Sequence, residues 1–183
     1  MNKFIVLDTE TTWDNRVMSI GAVVADAQTY QPIDAKYYIL NPEYRAGGMF
    51  SYALINDEVE KPLICSREKA IKNLLEFFTS YNVKSIFAYN ALFDHNHLPE
   101  LSSFNWYDIM RIAAYTQYNS KIPTDAPICS TGRLKSGYGV EPMLRMLSGN
   151  DTYFETHNAL LDALYELKIM LLLDYPLGNY IKL

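Results

Sequence analysis

The chain has 183 residues, of which 49% are hydrophobic and 20% charged, a balance typical of a globular domain with a sizeable core. Its formal net charge of −5 argues against a protein that coats duplex DNA through bulk electrostatics, although it leaves open one that grips only a strand end. No apolar run approaches the roughly 20 residues that cross a bilayer, and the amino terminus lacks the pattern of a signal peptide. We therefore expect one domain over residues 1–183, with no membrane partner and a cytoplasmic location.

Three apolar runs in the first part of the chain predict strands. They cover residues 3–7, 17–25 and 37–40, and the short polar connections between them favour an antiparallel meander. Ser66 then provides the N-cap of an amphipathic helix over residues 67–81.

The rest of the chain predicts two more strands and three more helices. The strands cover residues 83–89 and 105–110, and helices follow to residue 118, between Gly139 and Gly149, and over residues 158–173. Residues 119–138 are rich in Ser, Thr, Pro, Gly and Lys, and form either a mobile loop near a substrate or a plain surface connection. This order predicts an α/β fold, in which a mixed five-stranded sheet of three antiparallel and then parallel strands is flanked by helices.

Two acidic residues stand at the end of the first predicted strand. Asp8 and Glu10 are two positions apart, so their side chains leave the same face of the strand. They lie at its carboxyl end, where open α/β sheets collect ligands, although a strand end that frays into solvent would show the same pattern. Asp94 follows the fourth strand, and an adjacent parallel strand would bring it near this pair. Asn90 precedes it and could either orient a ligand or form a turn.

The last predicted helix carries an acid on a surface that should be buried. Asp162 lies among Leu and Ala residues, where a helix made only for packing would place another apolar side chain. His157 is five positions earlier, so on a continuous helix it would point about 140° away. If the helix begins near Asn158, His157 lies in the preceding loop and can face the same cavity. Four carboxylates in one cavity would repel each other unless divalent cations neutralised them, and hard oxygen ligands suit Mg²⁺ or Mn²⁺.

The three segments resemble the three exonuclease motifs of the DnaQ-like, DEDD-type 3′–5′ exonucleases, in the histidine-containing DEDDh branch. The first motif is matched by Asp8-Thr-Glu-Thr-Thr, the second by Asn90-Ala-Leu-Phe-Asp94 and the third by His157-Asn-Ala-Leu-Leu-Asp162-Ala. The match runs from Phe4 to about Leu173. The resemblance implies a ribonuclease H-like fold and a single exonuclease domain over residues 1–183.

The resemblance also implies the roles of the five residues. Asp8, Glu10, Asp94 and Asp162 would bind two Mg²⁺ or Mn²⁺ ions, and His157 would be the general base. We expect Asp8 to bridge both ions, because it is central on the first strand. The expected reaction is hydrolysis of the terminal phosphodiester at the 3′ end of single-stranded or frayed DNA or RNA. The product would be a nucleoside 5′-monophosphate.

The first motif departs from its usual continuation. Many relatives have Gly and a hydrophobic residue after the second Thr, whereas Trp13 and Asp14 follow Thr12 here. Trp13 could stack on a base or could cover the sheet edge. Thr11, Thr12 and Trp13, together with Asn90, are the candidate contacts to nucleic acid.

Two alternatives remain open at this point. The first is an endonuclease of ribonuclease H-like architecture, and the second is a non-catalytic nucleic-acid-binding or polymerase-associated proofreading module. The sequence does not distinguish DNA from RNA or from short oligonucleotides. Some relatives are dimers, so a homodimer is also open.

Overall fold

A six-stranded mixed sheet forms the centre of the computed structural model, which describes residues 2–59 and 61–183. The strands lie in the order β4-β3-β2-β1-β5-β6. Their bounds are β1 Lys3–Thr11, β2 Val17–Asp26, β3 Pro32–Leu40, β4 Leu63–Cys65, β5 Ser85–Ala88 and β6 Asn105–Asp108. The α-helices are α1 Arg67–Ser80, α2 Leu92–His97, α3 Met110–Ala113, α4 Val140–Ser148 and α5 Ala159–Leu173.

The side chains of β1 contribute alternately to two hydrophobic cores, one on each face of the sheet. Phe4 and Val6 pack with residues of α3, α4 and α5, whereas Ile5 and Leu7 pack with residues of α1. Because successive side chains of a strand point to opposite faces, a strand covered by helices on both sides reads as a continuous apolar run. Residues after Leu7 continue the same alternation, which places Asp8 and Glu10 on the face covered by α5.

The topology confirms the predicted α/β class. Strands β1 and β2 pair antiparallel, as do β2 and β3, and β5 is parallel to both β1 and β6. The predicted number of five strands is wrong, because β4 adds a sixth strand parallel to β3 at the sheet edge. This strand has only three residues, and Leu63 and Ile64 are 43% and 50% exposed. So short an element, exposed on its outer positions, shows no periodicity that would identify it.

The prediction for the region after β5 is wrong at two boundaries. Strand β6 ends at Asp108, and α3 ends at Ala113 instead of continuing to residue 118. The chain turns at this point because Tyr115 forms a bridge with Arg133, and Thr116 donates a backbone hydrogen bond to Gly132. A tertiary pairing thus overrides the local helical propensity.

The segment 119–138 contains neither a helix nor a ladder of strands. Ile122 near its start and Leu134 near its end are both buried in the core beneath α4 and α5, and Leu134 forms an isolated bridge with Ile128. The segment is therefore a connection fixed to the core at two points. Within the described residues, no helix combines the length and apolar character needed to cross a membrane.

The amino terminus of α5 is fixed by a capping side chain. Asn158 is fully buried, and its side-chain oxygen accepts hydrogen bonds from the backbone N–H groups of Leu160 and Leu161. Its side-chain amide donates to the carbonyl of Ala53 at 2.7 Å and to the hydroxyl of Tyr37 at 3.0 Å. One side chain therefore caps the helix and joins it to β3 and to the turn before β4. Ser66 caps α1 as predicted, accepting from Lys69 N–H.

A glycine in β2 determines how closely α5 approaches the sheet. Gly21 pairs with Asp8 of β1, and a Cβ atom at Gly21 would overlap the backbone of Ala159 and Leu160. Only a residue without a side chain lets the first turn of α5 lie directly on the sheet beside Asp8.

We predict that Gly21→Ala destabilises the protein by about 1–3 kcal/mol, and lowers the melting temperature by several degrees, because the backbone of α5 has to move. Gly178→Ala is the matched control, since a Cβ there would meet nothing within 4 Å. Thermal unfolding followed by circular dichroism measures both. Equal melting temperatures for the two variants would contradict this account of Gly21.

Candidate active site

The first turn of α5 and the end of β1 bring three predicted site residues together. The side-chain ligand atoms of Glu10, His157 and Asp162 all lie within 4.8 Å of one another. Glu10 is 8% exposed and Asp162 is 3% exposed, so both carboxylates are largely withdrawn from water. Asp8 lies on the same strand face as Glu10, opposite Gly21, and completes the acidic end of β1.

His157 lies in the loop before α5, as its spacing from Asp162 requires. It has a left-handed backbone conformation, with φ of 55°, and directly precedes the capping residue Asn158. Its ring stacks on Phe50, with 3.7 Å between the ring centroids and an interplanar angle of 15°. Burial lowers the pKa of the His157 imidazole from its usual value, so the ring is neutral at neutral pH. The stacked, neutral ring is suited to accept a proton.

Asp94 reaches the same region from the other side of β1. It lies in α2, directly after β5, and is 2% exposed. The hydroxyl of Thr9 donates a hydrogen bond to Oδ1 of Asp94 at 2.7 Å. Thr9 stands between the two acids of β1, so this bond ties Asp94 to their strand. The sequence analysis missed Thr9, although its position inside the first motif was a signal for such a role.

Burial and mutual repulsion change the protonation of the acids. Burial is the largest cause of the raised pKa values, which reach about 7 for Asp94, about 8 for Asp162 and about 9 for Glu10. The charge of Glu155, in the same loop as His157, adds repulsion at both Glu10 and Asp162. For Asp8, burial and the surrounding carboxylates raise the pKa well above its usual range. Without compensating positive charge, these groups hold protons at pH values where an ordinary carboxyl has lost them.

The oxygen atoms of this cluster fit divalent cations. Oδ2 of Asp8 and Oδ1 of Asp162 are buried and have no hydrogen-bond partner among the described residues. Among the described residues, the ion pairs formed by Lys and Arg involve other acids and none of the four acids of this cluster. Unpaired buried carboxylate oxygens are costly unless a cation or a proton neutralises them. Carboxylate oxygens gathered in one cluster form the hard ligand set that Mg²⁺ and Mn²⁺ prefer.

Two further buried acids border the cluster and were missed by the sequence analysis. Glu166 is 1% exposed and lies one helical turn after Asp162, a spacing of four residues that could have revealed it. Asp108 is 3% exposed and accepts backbone hydrogen bonds from Asn90 and Met110, at 3.2 and 2.9 Å. Asn90 itself is exposed and has a left-handed φ of 63°. Of its two predicted roles, this geometry favours the turn.

A cavity of about 360 Å³ opens beside Glu10. Its lining residues are Thr9, Glu10, Thr11, Thr12, Trp13, Met49, Phe50 and Phe93. Trp13 is 69% exposed, so most of its side chain is accessible beside this cavity. Thr12 is 5% exposed, and its hydroxyl is hydrogen-bonded to the backbone of Arg16 within the turn. Thr11 and Trp13 are therefore the better placed of the predicted nucleic-acid contacts.

The loop that carries Phe50 is held against the end of β1. The backbone N–H of Trp13 donates a hydrogen bond to the backbone carbonyl of Gly47 at 3.0 Å. A Cβ atom at Gly48 would overlap the carbonyl oxygen of Thr11, so the loop can lie this close only because Gly48 has no side chain. The same loop therefore forms one wall of the cavity and supplies the ring on which His157 stacks.

Solved 3′-exonucleases share this fold. A full-length 3′-exonuclease superposes with a TM-score of 0.66 at 16% identity, over 100% of this chain and 90% of that chain. The nuclease domain of 3′hExo, a DEDDh family member bound to rAMP, gives a TM-score of 0.66 at 15% identity, over 100% of this chain and 96% of that chain. Exonuclease I of E. coli in complex with a dA16 oligonucleotide gives 0.64 at 14% identity, over 95% of this chain but 41% of that chain.

These similarities are structural. No protein-family model and no curated protein matches the chain. The superpositions confirm the fold that the three motifs implied, with its mixed sheet and flanking helices.

We predict that the metal-free protein loses stability as the pH rises from about 5 towards 9. The folded state binds more protons than the unfolded state over this range, because Asp94, Asp162 and Glu10 have pKa values of about 7, 8 and 9 when folded. Melting temperatures in EDTA measure this effect, and Mn²⁺ should raise them more at the alkaline end of the range.

The variant Asp162→Asn should flatten the profile, since it removes one of the titrating groups. Replacement of the exposed Asp125 by Asn is the control and should leave the slope unchanged. A metal-free wild type whose stability rises steadily to pH 9 would show that the buried acids do not behave as described.

Proposed function

We propose that the chain is a metal-dependent 3′–5′ exonuclease, with a single catalytic domain over residues 1–183. It would hydrolyse the terminal phosphodiester of single-stranded or frayed DNA or RNA and release a nucleoside 5′-monophosphate. The observation that carries the proposal is the convergence of Glu10, His157 and Asp162 within 4.8 Å. The shared fold of the solved 3′-exonucleases supports it, because the three motifs lie on the same framework.

Asp8, Glu10, Asp94 and Asp162 are the residues that would hold two Mg²⁺ or Mn²⁺ ions. When bound, the ions would supply positive charge at the scissile phosphate and stabilise the negative charge that develops there. Asp8 is proposed as the shared ligand, because it lies on β1, which is between β2 and β5 within the sheet. The raised pKa values imply that these carboxyls release protons when cations bind.

His157 is proposed as the general base. A nitrogen of its neutral ring would take a proton from the attacking water, while the water oxygen forms a bond to phosphorus. The bond between phosphorus and the 3′ oxygen of the preceding nucleotide then breaks, and that oxygen is released as a hydroxyl after taking up a proton. Phe50 on one ring face and the fixed start of α5 limit the orientations that the imidazole can adopt.

The open ring of Trp13 and the cavity beside Glu10 would receive the terminal nucleotide. Among the solved proteins of this fold, 3′hExo is bound to rAMP and Exonuclease I to a DNA oligonucleotide, so the fold accommodates both sugars. A nucleic-acid 3′ end is therefore the proposed partner. A cytoplasmic location and a homodimer stay predictions.

We predict that Asp8→Asn and Asp162→Asn each lower the hydrolysis of a 5′-labelled oligonucleotide by at least about 100-fold, because each removes a ligand charge. His157→Gln should lower turnover by about 100-fold or more while leaving Mn²⁺ binding close to that of the wild type. Gel-based product sizing measures hydrolysis, and calorimetry measures Mn²⁺ binding. EDTA should abolish the activity of the wild type.

The same assay separates the proposal from its alternatives. An exonuclease shortens a 5′-labelled strand from its 3′ end and leaves a circular single strand intact, whereas an endonuclease cuts the circle. A protein that retains oligonucleotides on a filter but releases no mononucleotide with Mg²⁺ or Mn²⁺ would be a binding module. Full activity of Asp162→Asn would show that hydrolysis occurs elsewhere.

We predict that Trp13→Ala raises KM for single-stranded substrate by roughly 5- to 150-fold, since base stacking on an aromatic ring contributes about 1–3 kcal/mol. Trp13→Phe preserves a stacking surface and should recover most of the loss. Steady-state kinetics on matched DNA and RNA oligomers measure the effect. An unchanged KM for Trp13→Ala would remove this ring from the substrate path.

A further inference from the structure

Glu166 is a buried acid that the three motifs do not include. It lies on α5, four residues after Asp162, so the two side chains project from the same side of the helix about 6 Å apart along its axis. It is 1% exposed, in a helix whose other buried residues are mostly Leu, Ala, Ile and Met. An apolar residue would satisfy the packing at this position, so the carboxyl group needs a separate explanation.

The one hydrogen bond of Glu166 within residues 2–59 and 61–183 places it at the end of β5. Oε2 accepts from the backbone N–H of Tyr89 at 3.1 Å. Tyr89 directly follows β5 and precedes the turn at Asn90 that leads to Asp94. Glu166 therefore bridges α5, which carries Asp162, and the segment that carries Asp94. A glutamine could accept the same bond, so the bond alone does not require a negative charge.

The neighbours of Glu166 are the acids of the proposed metal centre. After burial, the charges of Asp94 and Asp162 are the main causes that raise the pKa of the Glu166 carboxyl. The charge of Glu166 is likewise among the causes that raise the pKa of Asp8. Glu10 lines the open cavity, whereas Glu166 is 1% exposed and lies on the buried side of the cluster.

An independent observation shows that two oxygen atoms of this cluster have no hydrogen-bond partner among the described residues. Asp162 is 3% exposed, and its Oδ1 atom has no hydrogen-bond partner among the described residues. The buried Oδ2 atom of Asp8 likewise has no hydrogen-bond partner among the described residues. No Lys or Arg of the described ranges 2–59 and 61–183 forms an ion pair with Glu166. Positive charge for these oxygens must therefore come from bound ions or from protons.

We propose that Glu166 is a fifth carboxylate of the metal centre, which strengthens divalent-cation binding on its buried side together with Asp8 and Asp94. The inference rests on the proposed function, since it concerns the cations of that site. Its effect would be to hold one of the two ions more tightly than the four motif acids can alone. The second ion would remain with the acids that face the open cavity.

The variant Glu166→Gln tests the inference, because it retains the shape of the side chain and the acceptor for Tyr89 but removes the charge. Titration of the metal-free protein with Mn²⁺ in a calorimeter gives the number of ions and their affinities. We expect wild type to bind two ions, and Glu166→Gln to bind one of them about 10- to 100-fold more weakly. The affinity for the other ion should change little.

Glu76→Gln is the matched control, because it removes the same charge from an exposed position on α1, on the opposite face of the sheet. It should bind Mn²⁺ as the wild type does. Wild-type affinities in Glu166→Gln would overturn the inference and leave Glu166 as an uncharged partner of Tyr89. If Glu166→Gln does not fold, Glu166→Met removes the charge with an apolar side chain of similar length, and wild-type Mn²⁺ affinities in that variant would equally overturn the inference.

The calorimetric readout separates this inference from the proposed function. If the wild type degrades no oligonucleotide but Glu166→Gln loses Mn²⁺ affinity, the proposed function fails and the fifth carboxylate stands. If the wild type degrades oligonucleotides and Glu166→Gln keeps both affinities, the fifth carboxylate fails and the proposed function stands.

Discussion

Repulsion among buried carboxylates is the constraint around which the end of β1 is built. Asp8, Glu10, Asp94 and Asp162 come from three separate parts of the chain, and burial raises the pKa of each. A fold that only needed stability would place apolar side chains at these positions. The apolar layers on both faces of the sheet offset this unfavourable cluster, because β1 is buried among helices from Phe4 to Leu7 before its acids begin.

The surrounding structure holds the acids in place although they repel each other. Gly21 lets the first turn of α5 lie on the sheet, and Asn158 fixes that turn to β3 through Tyr37. Thr9 holds Asp94 against β1 from the other side. Each contact is made by a residue beside a candidate ligand, and Oδ2 of Asp8 and Oδ1 of Asp162 remain without a hydrogen-bond partner among the described residues.

The sequence predicted the chemical core of the site better than its supports. The motif acids stood out because Asp162 interrupts a run of Leu and Ala, and Asp8 ends an apolar strand. Helix geometry placed His157 before the helix on the condition that the helix begins near Asn158, and α5 does begin directly after that residue. The sixth strand and the end of α3 could not be predicted in this way, because both depend on pairing with distant residues such as Arg133. Phe50 belongs to the same class, since only the folded chain shows that its ring lies on His157.

Glu166 shows why buried charge is more informative than exposed charge. The exposed acids of this chain can be solvated wherever they lie, so their positions carry little information about chemistry. The ionised carboxylate of Glu166 is desolvated by burial, and the hydrogen bond from a backbone N–H group compensates only part of that cost. The same reasoning distinguishes it from Asp108, which accepts two backbone hydrogen bonds in a turn and is thereby explained as a structural acid. Among the described residues Glu166 has one such bond, and its acidic neighbours add repulsion, so its negative charge would be compensated only by a cation in the cluster.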